Sequence, residues 1–218
     1  MEIIKGLLDF LMHLDRYLDV WVNEYGLLTY GILFLIVFVE TGFIVMPLLP
    51  GDSLLFAAGA LAARDTNELS VGIIIPLLIV AALMGDNLNY FVGKYFSNFI
   101  RSRERILFFK REYLYKTEEY YAKYGGQTVI IARFVPIVRT IAPFVAGAGS
   151  MTYGRYIFFC VAGAVLWVTS ISLLGYFFGN LEFVKKNFEI VVFGIIGLSV
   201  LPIIWGILKE KFMTKKTV

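Results

Sequence analysis

Along the chain, long apolar runs alternate with apolar stretches that proline interrupts. Residues 3–22 place Ile3, Ile4, Leu7, Leu11, Leu14, Leu18 and Val22 at helical spacing, with Glu2, Lys5, Asp9, Asp15 and Asp19 largely opposite. This predicts an amphipathic helix over 1–25, either lying in the membrane interface or packed on a bundle. Residues 27–46 are apolar apart from Glu40, and then Pro47 and Pro50 break the run just before Gly51 and Asp52. The next run, Ser53–Ala63, holds only about 11 residues and is too short to cross a bilayer alone. A re-entrant broken hairpin over 27–63 fits better than two full crossings. Irregular backbone survives at membrane depth where it is buried in protein or lines a wet cavity.

Residues 71–96 read as a full span with Gly85, Asp86 and Asn87 in its second half. A basic, tyrosine-rich connector follows over 99–125. Residues 126–151 repeat the earlier pattern, broken by Pro136 and Pro143 and carrying Arg133 and Arg139. Two further apolar runs, 155–179 and 189–208, complete the series. Ala58-Gly59-Ala60 recurs as Ala146-Gly147-Ala148, and Tyr90-Phe91-Val92-Gly93 as Tyr176-Phe177-Phe178-Gly179, at offsets of 88 and 86. Two repeats are therefore expected, 27–98 and 126–180, each a broken hairpin followed by a long helix. Interrupted segments at matching places in two halves point to the substrate site of a transporter.

Charge parity sets the direction of each half. Lys94, Arg101, Arg103, Arg105, Lys110, Arg111, Lys116 and Lys123 make the connector cytoplasmic, and Lys209, Lys211, Lys215 and Lys216 do the same for the tail. The two spans between them use up the crossings, so 126–151 must enter and leave on the cytoplasmic side. The acidic stretch Arg64–Glu68 then faces outward, and the halves are inverted. The expected fold is an all-α polytopic membrane protein with two inverted-topology repeats, an N-terminal amphipathic helix and a C-terminal transmembrane helix.

Composition agrees with this class: 59% of residues are hydrophobic and the mean hydropathy is +0.75. At 218 residues the chain is one membrane domain with no room for a separate soluble enzyme. The single cysteine, Cys160, cannot form an intrachain disulfide, and the single histidine, His13, leaves no Cys/His set for zinc. No cleavable signal, metal, cofactor or nucleic-acid partner is expected, and room is left for a homo-oligomer.

Against this background Glu40, Asp52, Arg133 and Arg139 stand out. A charge within the membrane is costly, and such residues mark functional sites by default. Arginine binds phosphate oxygens through a planar fork and stays charged when buried. Arg133 and Arg139, six apart, point in different directions on a regular helix, and the break at Pro136 would let both reach one phosphate. The competing reading is that they neutralise Glu40 or Asp52 and fix the packing. Glu40 and Asp52 suit proton pickup, because burial and a nearby arginine act on a carboxylate in opposite senses. Asp86, Asn87 and Thr140 form a secondary polar set, a headgroup path or interhelical hydrogen bonds.

The motifs E-T-G-F-x3-P-L-L-P-G-D (40–52), G-D-N-x2-Y-F-x-G-K (85–94) and A-R-F-x-P-x2-R-T-x2-P-x2-A-G (132–147) resemble the DedA family, also called SNARE-associated or VTT-domain proteins. The resemblance covers residues 25–180. It implies a bacterial inner-membrane protein with paired re-entrant hairpins that recycles undecaprenyl phosphate, depends on proton motive force and supports envelope integrity. Eukaryotic relatives act as phospholipid scramblases. The motif acids fall on Glu40 and Asp52 and the motif arginines on Arg133 and Arg139. The leading expectation is thus a translocase for an anionic lipid. A phospholipid scramblase and a proton-coupled small-ion antiporter stand as alternatives, and an enzyme is disfavoured for want of a nucleophile–base pair.

Overall fold

The computed structural model describes residues 14–43, 51–64, 69–97, 105–106, 109–110, 121, 125–149, 151–187, 190–191, 194 and 197. Pro47, Pro50, the acidic stretch 65–68, most of the basic connector, the first 13 residues and most of 189–208 lie outside them.

Among the described residues, two helices are long and apolar enough to cross a membrane, Val71–Tyr95 (α4) and Tyr153–Phe178 (α7). At 1.5 Å per residue each exceeds the ~30 Å of hydrocarbon. Their exposed faces carry Ile73, Val80, Met84 and Phe91 on α4 and Phe158, Leu166, Leu174 and Phe177 on α7, as lipid contact requires. Four shorter helices fill in around them: Leu28–Gly42 (α2), Gly51–Ala62 (α3), Gln127–Ala132 (α5) and Pro136–Ala148 (α6). Leu14–Tyr25 (α1) precedes them and the short Glu182–Lys186 (α8) follows.

Helix α1 is not free on the surface. Leu18 and Val22 are buried in the same core as Leu33 and Val37 of α2 and Leu54 and Leu55 of α3. Of the two readings of the amphipathic segment, the described part takes the one in which it packs on the bundle. The connector departs from the all-α expectation: Arg105–Ile106 (β1) and Phe109–Lys110 (β2) form a two-residue antiparallel ladder. Everything else regular among the described residues is helix.

The break between α5 and α6 follows from Pro136. Val135 is extended (φ −119°, ψ 107°), as a residue before proline must be, and Pro136 occupies the first turn of α6, where its missing N–H costs nothing. The turn at 133–135 satisfies its own backbone with three short-range bonds, from Arg133, Phe134 and Val135 N–H to the carbonyls of Ile130, Ile131 and Ala132.

The helices are knitted by two matched seams. Helix α3 lies on α7 so closely that a Cβ on Gly59 would strike the Ser172 carbonyl, and one on Gly175 would strike the Phe56 carbonyl. Helix α6 lies on α4 in the same way, with Gly147 against the Tyr90 carbonyl and Gly93 against the Phe144 carbonyl. Small residues permit this approach, which lipid itself cannot drive. Phe56 and Gly59 match Phe144 and Gly147 at an offset of 88, whereas Tyr90 and Gly93 match Ser172 and Gly175 at an offset of 82. The seam residues of the long helices thus fall one turn from the Y-F-φ-G match, which pairs Gly93 with Gly179.

Candidate functional site

The site is assembled from four helices. Glu40 projects from the last turn of α2 and is almost wholly buried. Asp52 stands in the first turn of α3, where the helix dipole favours a negative charge. The same helix start donates the Gly51 N–H to Glu40 Oε1 at 3.2 Å. Arg139, from α6, reaches between the acids: its Nη2 pairs with Glu40 Oε1, and its Nη1 meets Asp52 Oδ1 at 2.7 Å. The fourth wall is Trp167 of α7, whose Nε1–H donates to Asp52 Oδ1 at 2.8 Å and whose ring lies 4.9 Å from the Arg139 guanidinium carbon.

Arithmetic of charge follows directly. One arginine faces two carboxylates, so the cluster carries one surplus negative charge when all three groups are ionised. Glu40 Oε2 and Arg139 Nε have no hydrogen-bond partner among the described residues. The Asp52 side chain keeps 15% exposure against 1% for Glu40, so Asp52 is the less enclosed of the two acids.

Arg133 belongs to a separate pair. At the C-terminal end of α5 it binds Asp86 of α4, and its Nη2 also donates to the Cys160 carbonyl at 3.2 Å and to Cys160 Sγ at 3.3 Å. The Tyr156 hydroxyl donates to the Asp86 carbonyl at 3.0 Å, and the Cys160 thiol contacts an Asp86 carboxylate oxygen at 3.5 Å. A Cβ on Gly163 would press on the Arg133 side chain, so this arginine sits in a fitted slot. The pair is neutral and bound on several sides.

The sequence-derived set thus divides. Glu40, Asp52 and Arg139 meet; Arg133 instead takes Asp86, which sequence reasoning had placed in the polar path. Asn87 turns outward, donating to the Leu83 carbonyl at 2.6 Å and accepting from the Tyr153 hydroxyl at 2.9 Å. It lines a shallow groove with Phe38, Val80, Leu83, Met84 and Leu88. Thr140 is buried next to Arg139, and its carbonyl accepts at 3.5 Å from Asn89, whose amide also donates to the Thr41 carbonyl at 2.6 Å. Asn89 thereby ties the residues following Glu40 and Arg139 together. Trp167 was missed entirely. The signal available was its position in the middle of an apolar span, away from the interfacial belts that tryptophan favours. Among the described residues no group of His, Cys, Asp and Glu has metal-holding geometry.

Comparison with known proteins agrees with the residues. The VTT domain matches residues 49–177, more than half of the chain. The chain is 48% identical to Protein DedA of Escherichia coli (strain K12) over 211 residues, covering 97% of this chain and 96% of that protein. It is 37% identical to the uncharacterized membrane protein Rv0364 of Mycobacterium tuberculosis over 84% of this chain and 81% of that one. It is 30% identical to the inner membrane protein YqjA of Escherichia coli (strain K12), over 82% and 80% respectively. No solved structure gives a significant match. Motifs, buried charges and relatives lead to one assignment: the chain belongs to the DedA family of VTT-domain membrane proteins.

Proposed function

We propose that this protein is a lipid translocase, moving undecaprenyl phosphate between the leaflets of a bacterial inner membrane together with protons. The observation that carries the reading is Arg139 held between Glu40 and Asp52, a buried cation in reach of two acids. With both acids ionised the guanidinium is occupied and the surplus negative charge repels a phosphate. Proton uptake by the acids releases the guanidinium and reverses the local charge, so a phosphate oxygen takes the place of the carboxylates. Loss of the protons on the other side restores the ion pairs and expels the anion. Binding of lipid and of proton are thereby linked in one cluster. Catalysis of a covalent step has no part in the scheme.

Arg139 is the phosphate ligand in this scheme. Arg133 sits in a neutral, fitted pair with Asp86 and holds α5 against α4 and α7. Within the bilayer, α2–α3 and α5–α6 act as two re-entrant hairpins of inverted repeats. The matched seams, α3 on α7 and α6 on α4, support that arrangement. The connector and the C-terminus face the cytoplasm, as the positive-inside rule favours.

A second reading, proton-coupled exchange of a small cation, draws on the surplus negative charge of the same cluster. One reconstitution separates the two. Liposomes carrying labelled undecaprenyl phosphate, and others carrying labelled phospholipid, are assayed for leaflet exchange with and without a pH gradient. Gradient-dependent exchange of the polyprenyl phosphate supports the translocase. Exchange of both lipids without a gradient identifies a scramblase, and exchange of neither favours the cation reading. If Glu40→Gln leaves pH-dependent exchange intact, the proton role of that acid is refuted.

A further inference from the structure

We propose that Trp167 is a positioning residue of the charge cluster: its indole N–H anchors Asp52, and its ring face receives the Arg139 guanidinium when the acids are protonated. The proposal rests on the reading of Arg139 as an exchangeable ligand and deepens it.

Trp167 is 1% exposed, near the middle of α7, and is among the largest fully buried side chains. A buried tryptophan needs a partner for its single N–H. Here that partner is the carboxylate of Asp52, at 2.8 Å, rather than a backbone carbonyl. Asp52 Oδ1 consequently accepts two donors at once, Trp167 Nε1–H and Arg139 Nη1–H at 2.7 Å. The same ring lies beneath the cation, 4.9 Å from its central carbon, within the range of a cation–π contact. One side chain therefore touches both members of the ion pair, one by its edge and the other by its face.

These two contacts respond differently to protons. A carboxylic acid is a weaker partner than a carboxylate for both the indole and the guanidinium. The ring face is unaltered by protonation and needs no anion. An arginine passing from carboxylates to a phosphate must cross a state in which it holds neither, and a π-face under it lowers the cost of that state. Among the charged groups of the neighbouring helices, Glu40 on α2 is also bound by Arg139 and Asp86 on α4 is paired with Arg133 of α5, while Lys94 and Arg155 stand near the ends of α4 and α7.

The test uses two substitutions and one spectroscopic signal. Trp167→Phe keeps a ring and removes the N–H; Trp167→Leu removes both. Without the N–H, the charged form of Asp52 loses a donor, so the pH profile of exchange in Trp167→Phe lies at higher pH than the parent's. Its maximal exchange falls about threefold, while Trp167→Leu falls about tenfold or more. Independently of transport, Trp21→Phe with Trp205→Phe leaves Trp167 as the single indole of the full-length chain. Its emission, in liposomes, shifts with pH, and Asp52→Asn abolishes the shift. Folded Trp167→Phe and Trp167→Leu proteins with the rate and pH profile of the parent would overturn the proposal, as would single-tryptophan emission flat across pH. A titrating emission that depends on Asp52 in a protein moving neither lipid would sustain the role of Trp167 and refute the translocase reading.

Discussion

Asp52 and Arg139, 87 residues apart in sequence, meet at 2.7 Å, although the first opens α3 and the second lies in the second turn of α6. Their contact closes the interface between two segments that each fail to span the membrane alone. Because Glu40 binds the same guanidinium, one side chain joins three helices. Loss of Arg139 leaves the buried Glu40 and the half-buried Asp52 without their cation. Arg139→Gln should cost about 3–5 kcal/mol of stability, as removal of one partner from a buried pair does. Arg139→Lys keeps the charge but cannot hold two carboxylates in a planar fork, so it should fold and lose most exchange. Thermal unfolding in detergent, read beside the liposome assay, distinguishes the two outcomes.

Cys160 supplies the unfolding signal. It is fully buried and the only cysteine of the chain. A maleimide should label it slowly in the folded protein and fully after heating. Rapid labelling of the native protein would show that the Arg133–Asp86 slot opens spontaneously.

The two arginines should separate in a double-mutant cycle. Asp86→Asn and Arg133→Gln should each destabilise the fold, whereas the double variant should recover about 1–3 kcal/mol of their combined loss, because neither partner is then left charged and alone. The double variant should also retain lipid exchange. A double variant that folds but moves no lipid would give Arg133 a direct role in binding.

Gly51 is a sensitive position for the acids. Its N–H donates to Glu40, and a Cβ at this residue would run into the Glu40 carboxylate. Gly51→Ala should cost about 1–3 kcal/mol through this overpacking and should displace Glu40 from Arg139. Gly31, with open space around it on α2, is the control: Gly31→Ala should leave stability within about 0.5 kcal/mol of the parent or raise it slightly.

Exchange should rise as pH falls, since Arg139 is released when its acids take protons. Glu40→Gln fixes one acid in its neutral form and should flatten that dependence. An unchanged slope in the liposome assay would locate the proton elsewhere.

How much of this could be read from sequence depends on the kind of information each residue carries. Glu40, Asp52 and Arg139 were legible because a charge in apolar, proline-broken sequence is costly wherever it lies. The spans α4 and α7 were legible because length and hydropathy suffice for them. Pairing was not. Arg133 and Arg139 look alike in sequence, and only the packing of α5 on α7 brings the first to Asp86 of α4 while α6 carries the second to Glu40 and Asp52. The close-approach residues of the short helices fall at the offset of 88 seen in the A-G-A match, whereas those of the long helices fall at 82, one turn from the offset of the Y-F-φ-G match. A four-residue match says nothing of which face packs. Trp167 carried only a weak signal, its place in mid-span, because an aromatic within an apolar run otherwise looks like any core residue.

The seams also dictate an order of assembly. Helix α3 is buried along nearly its whole length, and its partner α7 is synthesised about 90 residues after it. At translation rates of about 5–20 residues per second, α3 must wait several seconds for the surface that covers it. Helix α6, by contrast, finds α4 already made. The newborn chain therefore holds Asp52 without its cation until Arg139 arrives, and the first half is the stretch most exposed to quality-control proteases in the membrane.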